Sequence, residues 1–478
     1  GIDIARQALT LNELQNKRSR SVQSISINEI IKATSGSLLH GNIDTVILSI
    51  STDSRKINQG CLFIPLIGEK FDGHDYIDSA LQDGAIASLT QKNHSGINGK
   101  AIILVEDTSK ALRELAAYYR QKFNFPFVGI TGSVGKTSTK DMIASVVRRK
   151  FNVLKTEGNL NNEIGVPLTV FNIDNTHEAA VLEMGMSGAG EISRLTAIIK
   201  PDVAVITNVG MSHIEKLGSR QNILKAKLEI LEGLNPKGLV VLNGDDALLV
   251  GMKDLLKFRT VLYGMDEGVD YRADNIKSHG ENGTYFDIKV GGREYNIHVP
   301  VPGVHNVHNA LAAISVGCEL GVPMEEIIKG IEDYSPTKMR MDIINVNGLK
   351  IINDAYNASP QSMEAALGVL KEIGGNNKKV AVLGDMLELG DWAQKAHYEV
   401  GKFAAAAGID CVITVGNNAR YIADGALDGG CFSNCVKSFG NNRETLDYLK
   451  KSLTSGEVIL IKGSRGMKME ELVKGLSI

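Results

Sequence analysis

Short apolar runs, each closed by glycine and followed by a helical pattern, recur along this chain and set its character. Such runs stand at 127–130, 179–182, 203–206 and 239–242. They are rich in β-branched residues and do not alternate with polar ones. Burial on both faces is the physical meaning, so a parallel sheet covered by helices on each side is expected. A second set at 350–353, 380–383, 411–415 and 458–461, again with helices between, predicts another parallel sheet. Alternating residues and turn residues from 271 to 301 predict an inserted antiparallel hairpin, and a helix is expected over 306–320.

Three regions of an α/β protein follow. A small α/β unit spans 25–107, with the apolar run 61–66, the polar loop GEKFDGHDY and a helix over 77–85. The central parallel-sheet region spans 108–334, and a Rossmann-like α/β region spans 335–478. The segment Asp333-Tyr334-Ser335-Pro336-Thr337 reads as a hinge, because proline breaks the preceding helix. Residues 1–24, ending in NKRSRSVQS, read as a tag or native extension.

Length and composition agree with this division. A chain of 478 residues exceeds a single hydrophobic core. With 52 basic and 55 acidic residues it carries a formal charge of −3, which leaves no basic footprint for nucleic acid or an anionic membrane. The five cysteines, Cys61, Cys318, Cys411, Cys431 and Cys435, show no paired framework and read as free thiols of a reducing compartment. No apolar run is long enough to span a bilayer, so a cytoplasmic protein without membrane insertion is expected.

The chemistry begins at FVGITGSVGKTSTKD, residues 127–141. Gly132, Ser133, Val134, Gly135, Lys136, Thr137 and Ser138 follow a buried strand and open a helix, the context a phosphate loop requires. Backbone N–H groups and the helix dipole favour negative charge there, and glycine allows close approach of the phosphates. Lys136 is expected on the β and γ phosphates of ATP, with Thr137 on Mg²⁺. Ile130 stands where the usual pattern has its first glycine, so the loop is a shortened T-G-x-x-G-K-T form.

Glu183 closes the run at 179–182, at the carboxyl edge where open α/β sheets place ligands. A magnesium ligand and a solvent-facing strand end fit it equally. His213 follows the next strand and suits a second metal, although a lone histidine is more often structural. Periodicity sets Lys227 on a solvated helical face with Lys225 and Glu229. A phosphate-loop switch or motor is the other functional class these residues allow.

Together TGSVGKT, LEMGMSGAGEI, ITNVGMSHIEKLGS and HNVHNALAA resemble the Mur ligase family of ATP-dependent amide-forming enzymes. The stretches DAYNASP from Asp354, GDMLELG from Gly384 with His397, and KGSR from Lys462 resemble its dipeptide-adding branch. The resemblance implies transfer of phosphate from ATP to the carboxyl terminus of UDP-N-acetylmuramoyl-tripeptide. D-alanyl-D-alanine would then attack the acyl phosphate. It further implies carbamylation of Lys227, metal positions at Thr137, Glu183, His213 and Lys227, and ATP contacts at Asn309, Arg340 and Asp354. Asp53, Ser54, Arg55, Asp72, Gly73 and His74 fall on uridine-nucleotide segments. Thr156, Asn159, Asn161 and Asn162 fall on sugar or peptide contacts. Tyr356, Asn357, Lys462, Ser464 and Arg465 fall on the dipeptide and closure positions. A monomer is expected.

Overall fold

The computed structural model describes residues 22–478. The stretch read as an extension lies outside the described residues except for its last three. Of these, Val22 is buried and donates its N–H to Leu48 O at 2.9 Å, and the Gln23 N–H reaches the Tyr119 hydroxyl at 2.7 Å. The folded chain therefore starts ahead of the boundary at 25, because Val22 has an apolar seat that its polar neighbours hide in the sequence.

The chain divides into two compact units. One gathers residues up to Phe127 with 152–184 and 193–200; the other takes 128–151, 185–192 and everything from Pro201.

In the first unit a five-stranded sheet runs in the order Ser37–His40, Ala101–Leu104, Ala85–Thr90, Cys61–Phe63, Ser49–Ser51. Only the Ser37–His40 strand is antiparallel to its neighbour. Cys61, Phe63, Ile77, Ala80 and Leu81 form one buried face of this layer. The helix expected over 77–85 stops at Gln82, because Gly84 turns at φ 128° and Ala85 already opens a strand. The Thr108–Arg120 helix packs within this unit: Tyr118 donates to Glu29 at 2.8 Å and the Tyr119 hydroxyl to Ile173 O at 2.6 Å. A parallel strand pair, Val153–Lys155 and Ala179–Glu183, completes it.

The second unit holds two sheets. In one, the Phe127–Thr131 strand pairs with Val203–Ile206, which pairs in turn with Leu239–Asn243 and then Arg259–Gly264, all parallel. The strand residues 203–206 and 239–242 are buried, as unalternated apolar runs require. The stretch expected as a hairpin is a three-stranded extension of this sheet. Tyr271–Ser278 pairs parallel with Arg259–Gly264, and Thr284–Val290 and Arg293–Val299 follow antiparallel. The helix expected over 306–320 spans Val304–Glu319 and packs on the Lys136–Val147 helix.

The other sheet runs Asp342–Val346, Leu349–Asp354, Val458–Lys462, Lys379–Gly384, Cys411–Val415, Val436–Phe439. Only its first pair is antiparallel. Among the described residues no helix is long and apolar enough to cross a membrane.

Glu29 ties three segments of the first unit. It completes the Ser26 capping box of the Ile27–Thr34 helix and accepts from Tyr118 and, at 2.6 Å, from Lys122. Burial raises its pKa, but Lys122, the Ser26 N–H and Tyr118 together bring it down from 4.5 to about 2. A carboxyl depressed in the fold stabilises above its unfolded value and loses that effect as pH falls toward the folded one. Glu29→Ala should therefore cost about 1–2 kcal/mol at neutral pH, the scale of a lost cap. Denaturant melts of both proteins should converge as pH drops from above 4.5 toward 2.

Candidate active site

The phosphate-loop segment lies between the Phe127–Thr131 strand and the Lys136–Val147 helix, with Gly135 at the helix N-cap in a left-handed conformation (φ 82°). Its shape is imposed by the neighbouring strand's exit. The Thr207 hydroxyl donates to Val134 O at 2.7 Å, while the Asn208 amide accepts from Val134 N–H and donates to Val134 O, both at 2.9 Å. Ser133 N–H donates to Asn208 O at 3.1 Å, and Gly210 N–H to the Ser133 hydroxyl at 2.8 Å. A side chain at Gly132 would place its Cβ 1.9 Å from Thr207 Oγ1, so only glycine lets the loop lie against this clamp. Lys136 Nζ sits over the loop, 2.9 Å from Gly132 O. Thr137 is buried, and Ser138 bonds the buried Tyr334 hydroxyl.

Thr207 and Asn208 are the positioning residues that motif reading missed. The signal was present in ITNVG, which stood only as a family segment; its hydrogen-bonding work becomes visible once the two strands are neighbours.

Lys227 corrects the periodicity argument. The Arg220–Leu228 helix buries Ile223, Ala226 and Lys227 and exposes Lys225. At 1% exposure Lys227 is inside, and among the described residues no hydrogen bond or ion pair engages it. Burial holds its pKa well below the ordinary lysine value, and the charge of Lys136 adds to this. A nine-residue helix with one cation on its inner face gives too weak a period to show this in sequence.

His213 caps the Ile214–Leu217 helix at φ 63°, and its Nδ1 lies against the carboxylate of Glu388. Burial lowers its pKa, Glu388 opposes that, and Lys136 and Lys227 reinforce it. The structure thus brings Lys136, Lys227 and His213 within range of one another's charge.

A second cluster surrounds Asp354. Lys462 Nζ donates to Asp354 Oδ2 at 2.6 Å and to Asn357 O at 2.8 Å, with Lys462 only 2% exposed. Met341 N–H donates to the other Asp354 oxygen at 3.2 Å, and the Arg340 guanidinium lies 4.1 Å from the Tyr356 ring centre. Met339 and Met341, on either side of Arg340, both hold positive φ (63° and 55°), a strained setting for non-glycine residues. Ser464 accepts from Leu387 N–H at 2.9 Å, and Arg465 pairs with Glu470 at 2.8 Å. Half-buried His305, its pKa pushed down to about 4 chiefly by desolvation, feels both Asp354 and Lys462; sequence reading gave it no role. Asn309 is buried, accepting from Thr139 at 2.8 Å and donating to Asn306 at 3.0 Å.

In the first unit Glu183 is buried at its strand end, which removes the solvent-facing alternative. Its carboxylate accepts from Asn161 at 2.8 Å and its N–H donates to the Thr156 hydroxyl at 2.9 Å. Asn162 accepts from Gly165 N–H at 2.8 Å at the start of the Gly165–Val170 helix, and Asn159 is exposed. Asp53, Ser54 and Arg55 follow the Ser49–Ser51 strand, while Asp72, Gly73 and His74 come after the adjacent parallel strand Cys61–Phe63. Arg55 chelates Asp53 at 2.9 and 3.0 Å and holds its carboxyl at about 2. His74 is engaged internally, by Asp72 at 2.6 Å and Gln91 N–H at 3.0 Å. Its Nε2 accepts, so Nδ1–H donates to Asp72.

A glycine loop at a helix start, armed with Lys136 and with buried Lys227 near enough to feel its charge, defines an enzyme that handles a nucleoside triphosphate. Comparison with known proteins narrows this. Residues 46–120 match the Mur ligase family catalytic domain, 130–317 the Mur ligase middle domain, and 339–465 the Mur ligase glutamate ligase domain. The UDP-N-acetylmuramoyl-tripeptide–D-alanyl-D-alanine ligase of Bacillus subtilis is 43% identical over 454 residues, covering 94% of this chain and 98% of the relative. The Escherichia coli enzyme of the same name is 35% identical, covering 95% and 98%. A crystal structure of MurF from Acinetobacter baumannii superposes with a TM-score of 0.88 at 32% identity, over 96% of this chain and 99% of that one. MurF from Thermotoga maritima, solved in complex with ADP, gives 0.80 at 29% identity, over 90% and 97%. The chain belongs to the Mur ligase family, ATP-dependent enzymes that form amide bonds. A switch or motor is thereby excluded.

Gly132→Ala tests the clamp. A methyl at that point should raise the KM for ATP about tenfold or more, given that an ill-fitting methylene costs about 1–3 kcal/mol. Unchanged ATP saturation in a phosphate-release assay would show that Thr207 and Asn208 do not set the loop.

Proposed function

We propose that this chain joins D-alanyl-D-alanine to the free carboxyl terminus of UDP-N-acetylmuramoyl-tripeptide, with ATP cleaved to ADP and phosphate, in peptidoglycan precursor synthesis. The observation that carries the reading is the clamped phosphate loop with Lys136 over it and buried, unpaired Lys227 nearby.

A carboxylate repels an incoming amine and has no leaving group. Phosphorylation by ATP supplies one: the carboxylate oxygen bonds the γ phosphorus as the bond to ADP breaks. The free amine of the dipeptide then attacks the acyl carbon, phosphate leaves, and the amine's proton is lost. The enzyme's share in the first step is alignment and charge neutralisation. The loop N–H groups and Lys136 cradle the phosphates. Arg340 and Asp354, fixed by Tyr356 and Lys462, take the nucleotide from the other side, and Asn309 shapes the adenine end.

Mg²⁺ is chemically suited to a hydroxyl such as that of Thr137 and, separately, to a carboxylate such as that of Glu183, and it would neutralise phosphate charge. Lys227 fits a further role. Held neutral by burial, its amine is a nucleophile for CO₂, and the resulting carbamate would give the pocket an anion to set beside His213 for a second cation. The regions 25–107, 108–334 and 335–478 would bind the UDP-sugar, ATP and the dipeptide with ATP, respectively. The two loops carrying 53–55 and 72–74 would meet the uridine nucleotide. Asn159 has its side chain exposed for the sugar or peptide. Dependence on ATP supports a cytoplasmic setting for this reaction.

Phosphate release should require both substrates and respond to D-alanyl-D-alanine far above any single amino acid; equal response to a single amino acid would assign a different acceptor. Lys136→Ala should abolish turnover, with the circular dichroism spectrum and melting temperature retained. Lys227→Ala should be nearly inactive and regain part of its rate with formate or acetate. Full activity without additive would remove the carbamate from the account.

A further inference from the structure

Spacing along the chain pairs none of the five cysteines, but the fold gathers three of them at one corner of the last sheet. The strands Cys411–Val415 and Val436–Phe439 run parallel, with Val412 level with Val436. One step back along both brings Cys411 beside Cys435, at the spacing of about 4.8 Å that separates neighbouring strands. That spacing falls inside the Cα separation of about 4.4–6.8 Å that a disulfide spans. The side chains meet as well: burial, and then a hydrogen bond with Cys435, push the Cys411 thiol up to about 12. Both residues are only half-buried, so a small solute can reach them. Lys378, bound to Glu457 at 2.7 Å, brings its ammonium close enough to feel both sulfurs. The third thiol, Cys431, feels Cys435 but is turned elsewhere, with its Sγ 3.9 Å from Ile409 O.

We propose that Cys411 and Cys435 form a reversible dithiol–disulfide site that reacts with small disulfides. A thiolate of the pair attacks one sulfur of the small disulfide, joins to it and releases the other half as a thiol. The second cysteine then attacks the protein sulfur of this mixed disulfide and releases the remaining half. Two cysteine thiols are thereby oxidised to one disulfide, one small disulfide is reduced to two thiols, and the cysteines' two protons pass to the leaving sulfurs. The Lys378 ammonium assists, because a nearby cation stabilises the attacking thiolate. Register chooses the pair. Cys431 is only four residues from Cys435, yet it precedes the strand and has no level neighbour in the sheet. The new bond would join two strands at their amino ends, whereas Asp354 and Lys462 close strands of the same parallel set at the carboxyl ends. Oxidation therefore stabilises this corner without reaching the cluster around Asp354.

The test uses the full chain, reduced, freed of reductant and titrated under native conditions with oxidised glutathione. Remaining thiols are then alkylated, and peptides are mapped by mass spectrometry without reduction. Wild type should lose two thiols, keep no glutathione on either residue, and yield a peptide joining Cys411 to Cys435. Cys431→Ser should give the same cross-link, whereas Cys411→Ser and Cys435→Ser should give none. Oxidation of wild type should raise the melting temperature by several degrees, dithiothreitol should reverse the rise, and the Cys411→Ser and Cys435→Ser proteins should not show it. A Cys431–Cys435 cross-link, a lasting glutathione adduct at either residue, or both thiols still free under a large excess of oxidant overturns the proposal. The wild-type map alone decides this, even where a serine variant folds poorly. Phosphate release in the ligation assay should be the same for reduced and cross-linked protein; a slower cross-linked enzyme would overturn the separation of this corner from Asp354.

Discussion

Backbone N–H groups bind phosphate only when they converge, and a run of glycine and small residues has no reason to converge by itself. In this protein the convergence is borrowed from the adjacent strand. Asn208 grips Val134 by both its N–H and its carbonyl, and Thr207 grips the same carbonyl. These short contacts hold the bend in one shape, because Ser133 and Val134 are each engaged by the neighbouring strand's exit. Rigidity matters more than contact number here: a cup preformed before nucleotide arrives spends none of the binding energy on ordering itself. Glycine at 132 is the geometric condition for that closeness, and the helix behind the loop supplies the field.

The cations beside the cup follow a different logic. Lys136 is half-buried and donates to the loop carbonyl of Gly132. Lys227 has no such partner, and a buried ammonium without an anion is too costly to persist in charged form. Burial therefore pushes this amine toward its neutral form. Asp354 and Lys462 show the opposite solution, a buried pair that satisfies both charges and holds the Arg340 segment through Met341. Buried lysines are thus handled in two ways, Lys227 left without an anion and Lys462 paired with Asp354.

How much of this lay open in the sequence depends on how local the physics is. The parallel strands were legible because burial on both faces writes itself into every residue, as at 203–206. The phosphate loop was legible because its strand, glycines, lysine and helix are contiguous. Lys227 was illegible by period, since its burial is decided by what packs on the short helix and not by the helix's own pattern. Thr207, Asn208 and Glu388 required knowing which segments are neighbours. The edge strands Asp342–Val346 and Val436–Phe439 escaped notice because edge positions are only partly buried and their runs are mixed. The extension of the central sheet read as a separate hairpin for a similar reason: one parallel pairing, between Tyr263 and Tyr271, joins it to the rest.

The segment after Pro336 carries a mechanical implication. Thr337 donates its hydroxyl to Asp141 at 2.8 Å, which fastens the chain to the helix that begins at Lys136. Arg340 comes three residues later, and three residues of fully stretched backbone reach only about 10–11 Å. The guanidinium is therefore on a leash whose stake is driven into the helix that follows the glycine loop. That one side chain is thereby kept within a short arc of the Lys136–Val147 helix. An insertion of even a few residues between 337 and 340 would lengthen the tether and let the arginine drift, so chain length in this stretch is as much a part of the machinery as the identity of the arginine.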